Sequence, residues 1–317
     1  MKIVQKEIRS SGRCVYRMAG IKLFSGRVRP VTRLRGAGRP VLVVRIPGDA
    51  IGLFCHFSCN LGWMRWAEEH DCDCYIDMRT PKTVFSREHP IDYNPWDVFF
   101  RQSCDAADVA NAKKLFVNVA PTPPDFPGVR PDLYDQGNPE FLAWRRFARE
   151  HIVFSDAKTR LVDERQAALI GDGREVLGCL VRGTDYARMK PAHHPVQPEP
   201  ERVIADAKRI CAERKLKKVF LATEDPGIRD LFRREFGDDL ITSQTDLPDY
   251  RGDYLVWSGA LGDAERTMRI TEQYFVSVAL LARCSCLLAG CASGAVGAAL
   301  LSRGFDMMRI YDLGYYE

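Results

Sequence analysis

From Val41 onward, short apolar runs rich in β-branched residues alternate with segments of helical periodicity. That alternation restricts the fold more than any other feature. Residues 41–46 read as a strand and 47–49 as a turn, after which Leu53, Phe57, Leu61 and Met64 recur at helical spacing. Residues 74–78 and 114–119 read as further strands, and 139–170 as helical. Beyond Gly173 the pattern predicts strands at 176–181, 219–223, 240–242, 286–289 and 307–311. Helices are expected between them at 200–215, 227–236, 263–283 and 294–303. Strands separated by helices of this length require crossover connections and a parallel sheet. The expectation is an α/β protein with two doubly wound sheets facing a cleft.

A chain of 317 residues exceeds a single small domain, and its 46% hydrophobic content supplies two cores. The proline-rich stretch 121–139 has no periodicity and reads as a loop lining a cleft or joining domains. Three segments are expected: a basic arm over 1–40, an N-terminal α/β domain over 41–172, and a C-terminal Rossmann-like domain over 173–317.

Charge and cysteine usage exclude several classes. Net charge is only +4, but residues 1–45 hold twelve Lys or Arg against the single acid Glu7. Such an excess marks a solvated arm, an arm facing an anionic membrane or acidic glycan, or a nucleic-acid contact. No nucleic-acid motif accompanies it, so nucleic acid is not expected as a partner. Eleven cysteines cannot pair completely, and Cys179, Cys211, Cys284 and Cys286 sit in apolar segments as small hydrophobes. Cys55, Cys59, Cys72 and Cys74 lack a CxxC knuckle or a His pair, which favours core thiols over zinc. No apolar run reaches the roughly 20 residues needed to span a bilayer, and no signal-peptide pattern follows the basic flank. A reducing, cytoplasmic location is expected, with peripheral membrane contact through the arm as its one extension.

Ligands bind at the carboxyl ends of strands in open parallel sheets, and three such ends carry polar clusters. Leu180-Val181-Arg182-Gly183-Thr184-Asp185-Tyr186 offers a guanidinium fork, a flexible backbone and a hydroxyl. The fork suits a diphosphate, and an Arg182–Asp185 ion pair tying down a loop is the plain alternative. Ala222-Thr223-Glu224-Asp225-Pro226 places two acids where they accept from hydroxyls, amines or a cation. Helix capping by Asp225 with Pro226 at the first position is equally natural. Gly290-Cys291-Ala292-Ser293-Gly294-Ala295 would let backbone amides approach a phosphate at a helix N-terminus, although small residues also serve close packing.

At these residues the chain resembles the superfamily of α-1,2, α-1,6 and protein O-fucosyltransferases. The first motif of that group, His-x-Arg-Arg-x-Asp, is matched by residues 180–185; its Ala-Thr-Asp-Asp-Pro by 222–226; and its Ser-Ser-Gln more loosely by 292–294. His194-Pro195 falls at the offset of a His-Pro in the α-1,6 branch, and residues 48–56 resemble the glycine-rich acceptor-side loop. The resemblance extends from about Val41 to the C-terminus. It implies a GT-B fold and inverting transfer of fucose from GDP-fucose, without a metal, to a hydroxyl of a glycan or glycolipid.

Residue by residue, the resemblance makes Arg182 the grip on the β-phosphate, with Gly183 and Thr184 beside it. Thr223, Glu224 and Asp225 would hold the nucleoside, and Ser293 and Gly294 a phosphate. Gly48, Asp49, Gly52, His56 and His194 are acceptor-side candidates. Leu180 and Gly183 depart from the motif's His and second Arg, and Lys190 stands where the α-1,6 branch has a catalytic acid. Asp185 is therefore the first candidate for the base, with Asp49 and His56 next. Asp71-Cys72-Asp73 lies before a strand in the N-terminal half and reads as a solvated turn, not a metal-binding Asp-x-Asp. Two other functions stay open: a non-catalytic nucleotide-sugar-binding protein of this fold, and transfer from another donor.

Overall fold

The computed structural model describes residues 4–8, 14–18, 21–26, 28–30, 36–46, 51–86, 88–250, 252 and 261–317, with side chains from residue 28 onward. Two compact units are present: residues 1–48 with 59–126, and residues 49–58 with 127–317.

The first unit opens with a three-stranded antiparallel sheet, β1 (Val4–Ile8), β2 (Cys14–Met18) and β3 (Ile21–Gly26). A second sheet contains β4 (Val28–Pro30), β5 (Val41–Val44), β6 (Asp73–Ile76) and β7 (Leu115–Asn118), in the order β4-β7-β5-β6. β5 pairs in parallel with β6 and β7 and is buried along its whole length. Full burial is why its four residues are apolar without alternation. Helices α1 (Leu53–Glu69), α2 (Pro95–Phe99) and α3 (Ala106–Asn111) follow β5 and precede β7. Asp105 caps α3 in a reciprocal capping box with Asp108.

The segment expected as an arm over 1–40 contains paired strands among its described residues. β4 joins the edge of the sheet antiparallel to β7, with Arg29 opposite Val117, and Gly38 donates its N–H to Asn111 O at 2.9 Å. Val28 to Pro30 is too short and too basic to show strand periodicity, and its pairing is set by a partner almost ninety positions away.

The second unit is built on β8 (Val176–Leu180), β9 (Lys218–Ala222), β10 (Leu240–Ile241), β11 (Cys286–Gly290) and β12 (Met307–Tyr311). All pairings are parallel and the order is β10-β9-β8-β11-β12. This is a Rossmann-type order whose direction of winding reverses between β8 and β11. Leu177, Cys179 and Val181 pack with Val203 and Ile210 of α7 (Pro200–Arg214) and with Phe232 of α8 (Pro226–Phe236). On the other face a Cβ at Gly178 would come within 2.8 Å of Leu281 at the end of α9 (Ala264–Leu281). With both faces covered, β8 and β11 are buried at every position. Cys179, Cys284 and Cys286 are free thiols inside this core, and burial pushes each thiol pKa up.

Two helices from the proline-rich side, α4 (Pro139–His151) and α5 (Asp156–Leu169), group with this unit, although a boundary at 172/173 is the sequence expectation. α4 packs on α10 (Ser293–Leu301), and α5 on α9. Residues 49–58 also group here: Phe54 lies 6.4 Å from Phe275 and fills the space left by the missing Cβ of Gly297. Among the described residues no helix is long and apolar enough to cross a membrane.

Candidate nucleotide site at the β8–β11 switch point

The ends of β8 and β9 meet through one side chain. Glu224, just past β9, turns its Oε1 toward the loop after β8. There it accepts from Gly183 N at 3.0 Å, Thr184 N at 3.2 Å and Thr184 Oγ1 at 2.9 Å. Arg182 places its Nε 3.3 Å from the same oxygen, close enough for an ion pair but without an aligned acceptor for a hydrogen bond. Its Nη2 donates to Asp185 Oδ1 at 2.6 Å. The Arg182 side chain is 14% exposed, with its guanidinium 5.1 Å from the ring centre of Tyr186. Burial disfavours the charge on Arg182, but Glu224 and then Asp185 outweigh it, so the pKa is raised and the guanidinium stays charged.

The acids thus build the loop. Asp185 opens α6 (Asp185–Met189), and its Oδ1 also accepts from Tyr186 N at 3.0 Å. Asp225 caps α8, accepting from Gly227 N at 2.7 Å and Ile228 N at 3.3 Å, with Pro226 at the first position. Its Oδ2 lies 3.6 Å from Arg188 Nη2. Thr223 accepts from Asp225 N through Oγ1 at 3.2 Å.

Gly183 has a packing reason to be glycine. A Cβ there would lie 2.4 Å from Ile228 Cδ1 and 2.8 Å from Asp225 Oδ2. The second arginine of the fucosyltransferase motif has no room on this backbone. Gly294, in the first turn of α10, has its Cβ position 2.0 Å from the hydroxyl of Tyr274. Tyr274 stands on α9, where burial raises its pKa and the Arg182 guanidinium opposes the rise. Tyr186 and Tyr274 are further neighbours of Arg182 that were not among the expected site residues. Tyr186 directly follows the 180–185 motif and was open to notice; Tyr274 is visible only once α9 is packed.

Arg182, Gly183 and Asp225 line a cavity of about 270 Å³. The rest of its wall includes Lys190, Gln197, Glu199 and Tyr316. Lys190 ends α6 in a left-handed conformation with φ 47°. His194, expected on the acceptor side, packs edge-on against Tyr186 at 5.5 Å, and Ser293 begins α10.

The remaining acceptor-side candidates separate. Gly48 and Asp49 lie outside the described residues. Gly52 is exposed, with open space at its Cβ position. His56 is fully buried in α1, where desolvation lowers its pKa to about 4 and keeps it neutral near pH 7. Asp71 adopts φ 53° at the turn between α1 and β6. Among the described residues no three His, Cys, Asp or Glu side chains converge in a metal-binding group.

No protein-family model matches the chain, and no curated protein matches its sequence. Solved structures match its fold. The crystal structure of POFUT1 in complex with GDP aligns with a TM-score of 0.50 at 10% identity, covering 87% of this chain and 99% of that one. POFUT1 in complex with GDP-fucose aligns with a TM-score of 0.50 at 9% identity, covering 88% and 99%. The NodZ α-1,6-fucosyltransferase of Bradyrhizobium, soaked with GDP-fucose, aligns with a TM-score of 0.49 at 16% identity, covering 84% and 93%. The architecture is the GT-B-like α/β fold of the POFUT1 structures, as the sequence resemblance implies.

Proposed function

We propose that the second unit binds GDP-fucose and that the protein transfers fucose to an acceptor hydroxyl by an inverting reaction without a metal. The observation that carries this reading is the placement of Arg182: a buried, charged guanidinium at the topological switch point, braced by Asp185 and Glu224 and opening on a cavity. In the reaction the donor's C1–O bond breaks and its electron pair passes to the diphosphate, while the acceptor oxygen bonds to C1 and loses its proton. The protein's task is to meet the charge building on the diphosphate. The Arg182 N–H groups not used by Asp185 and the first-turn amides of α10 supply donors fixed in advance. Bracing by two carboxylates lowers the local positive charge but fixes the fork, which favours geometry over long-range attraction.

Asp185 serves this reading better as the residue that orients Arg182 than as the base, because its Oδ1 already accepts from the guanidinium and from Tyr186 N. That observation favours a second reading, a nucleotide-sugar-binding protein without transfer. A glycan or glycolipid acceptor remains part of the proposal through the resemblance alone.

The test is a melting series with GDP, UDP and ADP, followed by transfer and donor-hydrolysis assays with GDP-fucose in EDTA. The fucosyl reading expects the largest stabilisation from GDP and turnover that survives chelation. UDP stabilisation equal to that by GDP would remove the donor assignment. Loss of turnover in EDTA restored by manganese would remove metal independence, and GDP binding without turnover would establish the second reading.

A further inference from the structure

The segment after β12 folds back onto the loop between α6 and α7. His193 N donates to Tyr316 O at 2.9 Å, Tyr316 N to His194 O at 2.9 Å, and Val196 N to Gly314 O at 3.0 Å. An antiparallel bridge joins Pro195 to Tyr315. The turn into this ladder uses Gly314 at φ 79°, and the loop it meets holds His193 at φ 64°, both in the left-handed region. At the end of the ladder the Tyr316 hydroxyl accepts from Gln197 N at 3.1 Å. Gln197 is buried, and its Nε2 donates to Pro195 O at 3.0 Å and Cys291 O at 2.9 Å, which ties the loop to the end of β11. The Tyr316 side chain is thus held at both ends, by its own backbone and by its hydroxyl.

Tyr316 and Arg182 belong to the wall of one cavity. Arg182 and Lys190 contribute positive charge there, and Val196, Pro198 and Ile228 supply apolar wall. A rigid aromatic side chain beside apolar surface, with Glu199 and Asp225 as acceptors, suits a flat heteroaromatic group bearing N–H donors. We infer that Tyr316 is a specificity-determining residue that walls the nucleoside end of the donor, positioned by the strap of residues 314–317. This rests on the donor reading of the cavity. It adds that the residues after β12 complete the site and that discrimination for the nucleoside resides partly there.

The experiment compares GDP with inorganic pyrophosphate, which lacks the nucleoside, by calorimetry on wild type, Tyr316→Ala and Tyr316→Phe. Tyr316→Ala is expected to weaken GDP by about fivefold or more, the scale of one lost aromatic contact, while pyrophosphate changes by less than about twofold. Tyr316→Phe keeps the ring and should retain most of the discrimination. Hydrogen exchange on the wild type supplies a readout independent of any variant: GDP should slow the amides of residues 193–197 and 314–317 more than pyrophosphate does. Equal loss of both ligands, unchanged GDP affinity in a folded Tyr316→Ala, or equal protection by both ligands would overturn the inference. A wild type that binds pyrophosphate but shows no preference for GDP overturns it as well, whereas binding of neither would remove the donor reading itself.

Discussion

Arg182 and Glu224 stand on neighbouring strand ends of one parallel sheet, 3.3 Å apart between Nε and Oε1, with both side chains almost fully buried. Glu224 also takes both backbone N–H groups of the loop that carries Arg182's neighbours, Gly183 and Thr184. One carboxylate therefore sets the shape of the loop and the position of the guanidinium. Glu224→Ala would leave those buried donors unsatisfied, at about 1–3 kcal/mol each. Urea unfolding is expected to show a loss of that order, together with weakened GDP binding. A stable Glu224→Ala protein with unchanged GDP affinity would contradict both roles.

Gly183 offers a sharper test of packing. With Ile228 Cδ1 at 2.4 Å and Asp225 Oδ2 at 2.8 Å from its Cβ position, Gly183→Ala must push aside the first turn of α8. Overpacking of this kind costs about 1–3 kcal/mol. Gly183→Arg, which restores the motif of the fucosyltransferases, should be worse and not better. A Gly183→Arg variant with wild-type stability and tighter GDP binding would contradict the placement of this loop.

Removal of residues 1–39 should destabilise the first unit, because β4 is hydrogen-bonded along β7 and Gly38 bridges to Ala112. A fall in melting temperature of roughly 5 °C or more is expected, with β7 left as an exposed edge. An unchanged melt would return the segment to the status of a dispensable arm.

The parts of the fold legible in the sequence are those in which local pattern and burial agree. β8, β9, β11 and β12 are near-continuous apolar runs because helices cover both faces of their sheet, and each begins within a residue of its expected position. Arg182, Asp185 and Glu224 were legible as strand-end groups, and the Arg182–Asp185 ion pair is present with Glu224 as a second carboxylate partner. β1 to β4 were not legible: their residues mix basic and apolar types without clean alternation, and β4 exists through a partner far along the chain. α2, α3 and α6 are five or six residues long, too short for a helical period to show. Tyr274 and Tyr316 reach the site only through packing of α9 and pairing of the last residues, which no local signal carries.

His56 gives a pH dependence of definite sign. Burial lowers its folded pKa from 6.5 to about 4, so the unfolded chain binds the proton more readily between those values. Its contribution is complete above about pH 6.5 and is lost as pH falls toward 4, amounting to about 3 kcal/mol. Unfolding free energies at pH 7 and pH 5 should differ less in His56→Gln than in the wild type. An equal or steeper slope in the variant would show that another group controls acid sensitivity.

The central claim is that Arg182 grips a diphosphate, and thermal melting of Arg182→Ala with and without GDP tests it most directly. The ion pairs with Asp185 and Glu224 mean the variant itself should melt lower, since it leaves two buried carboxylates without their cation. Beyond that loss, the added stabilisation by saturating GDP should largely disappear. Arg182→Lys should restore it only in part, because a point charge does not reproduce the fork. In a transfer assay, turnover should fall by about 10² or more, the scale of removing one preorganised donor from a charge-stabilising site. A folded Arg182→Ala that GDP stabilises as strongly as the wild type would contradict the phosphate role of Arg182 and the donor site built around it.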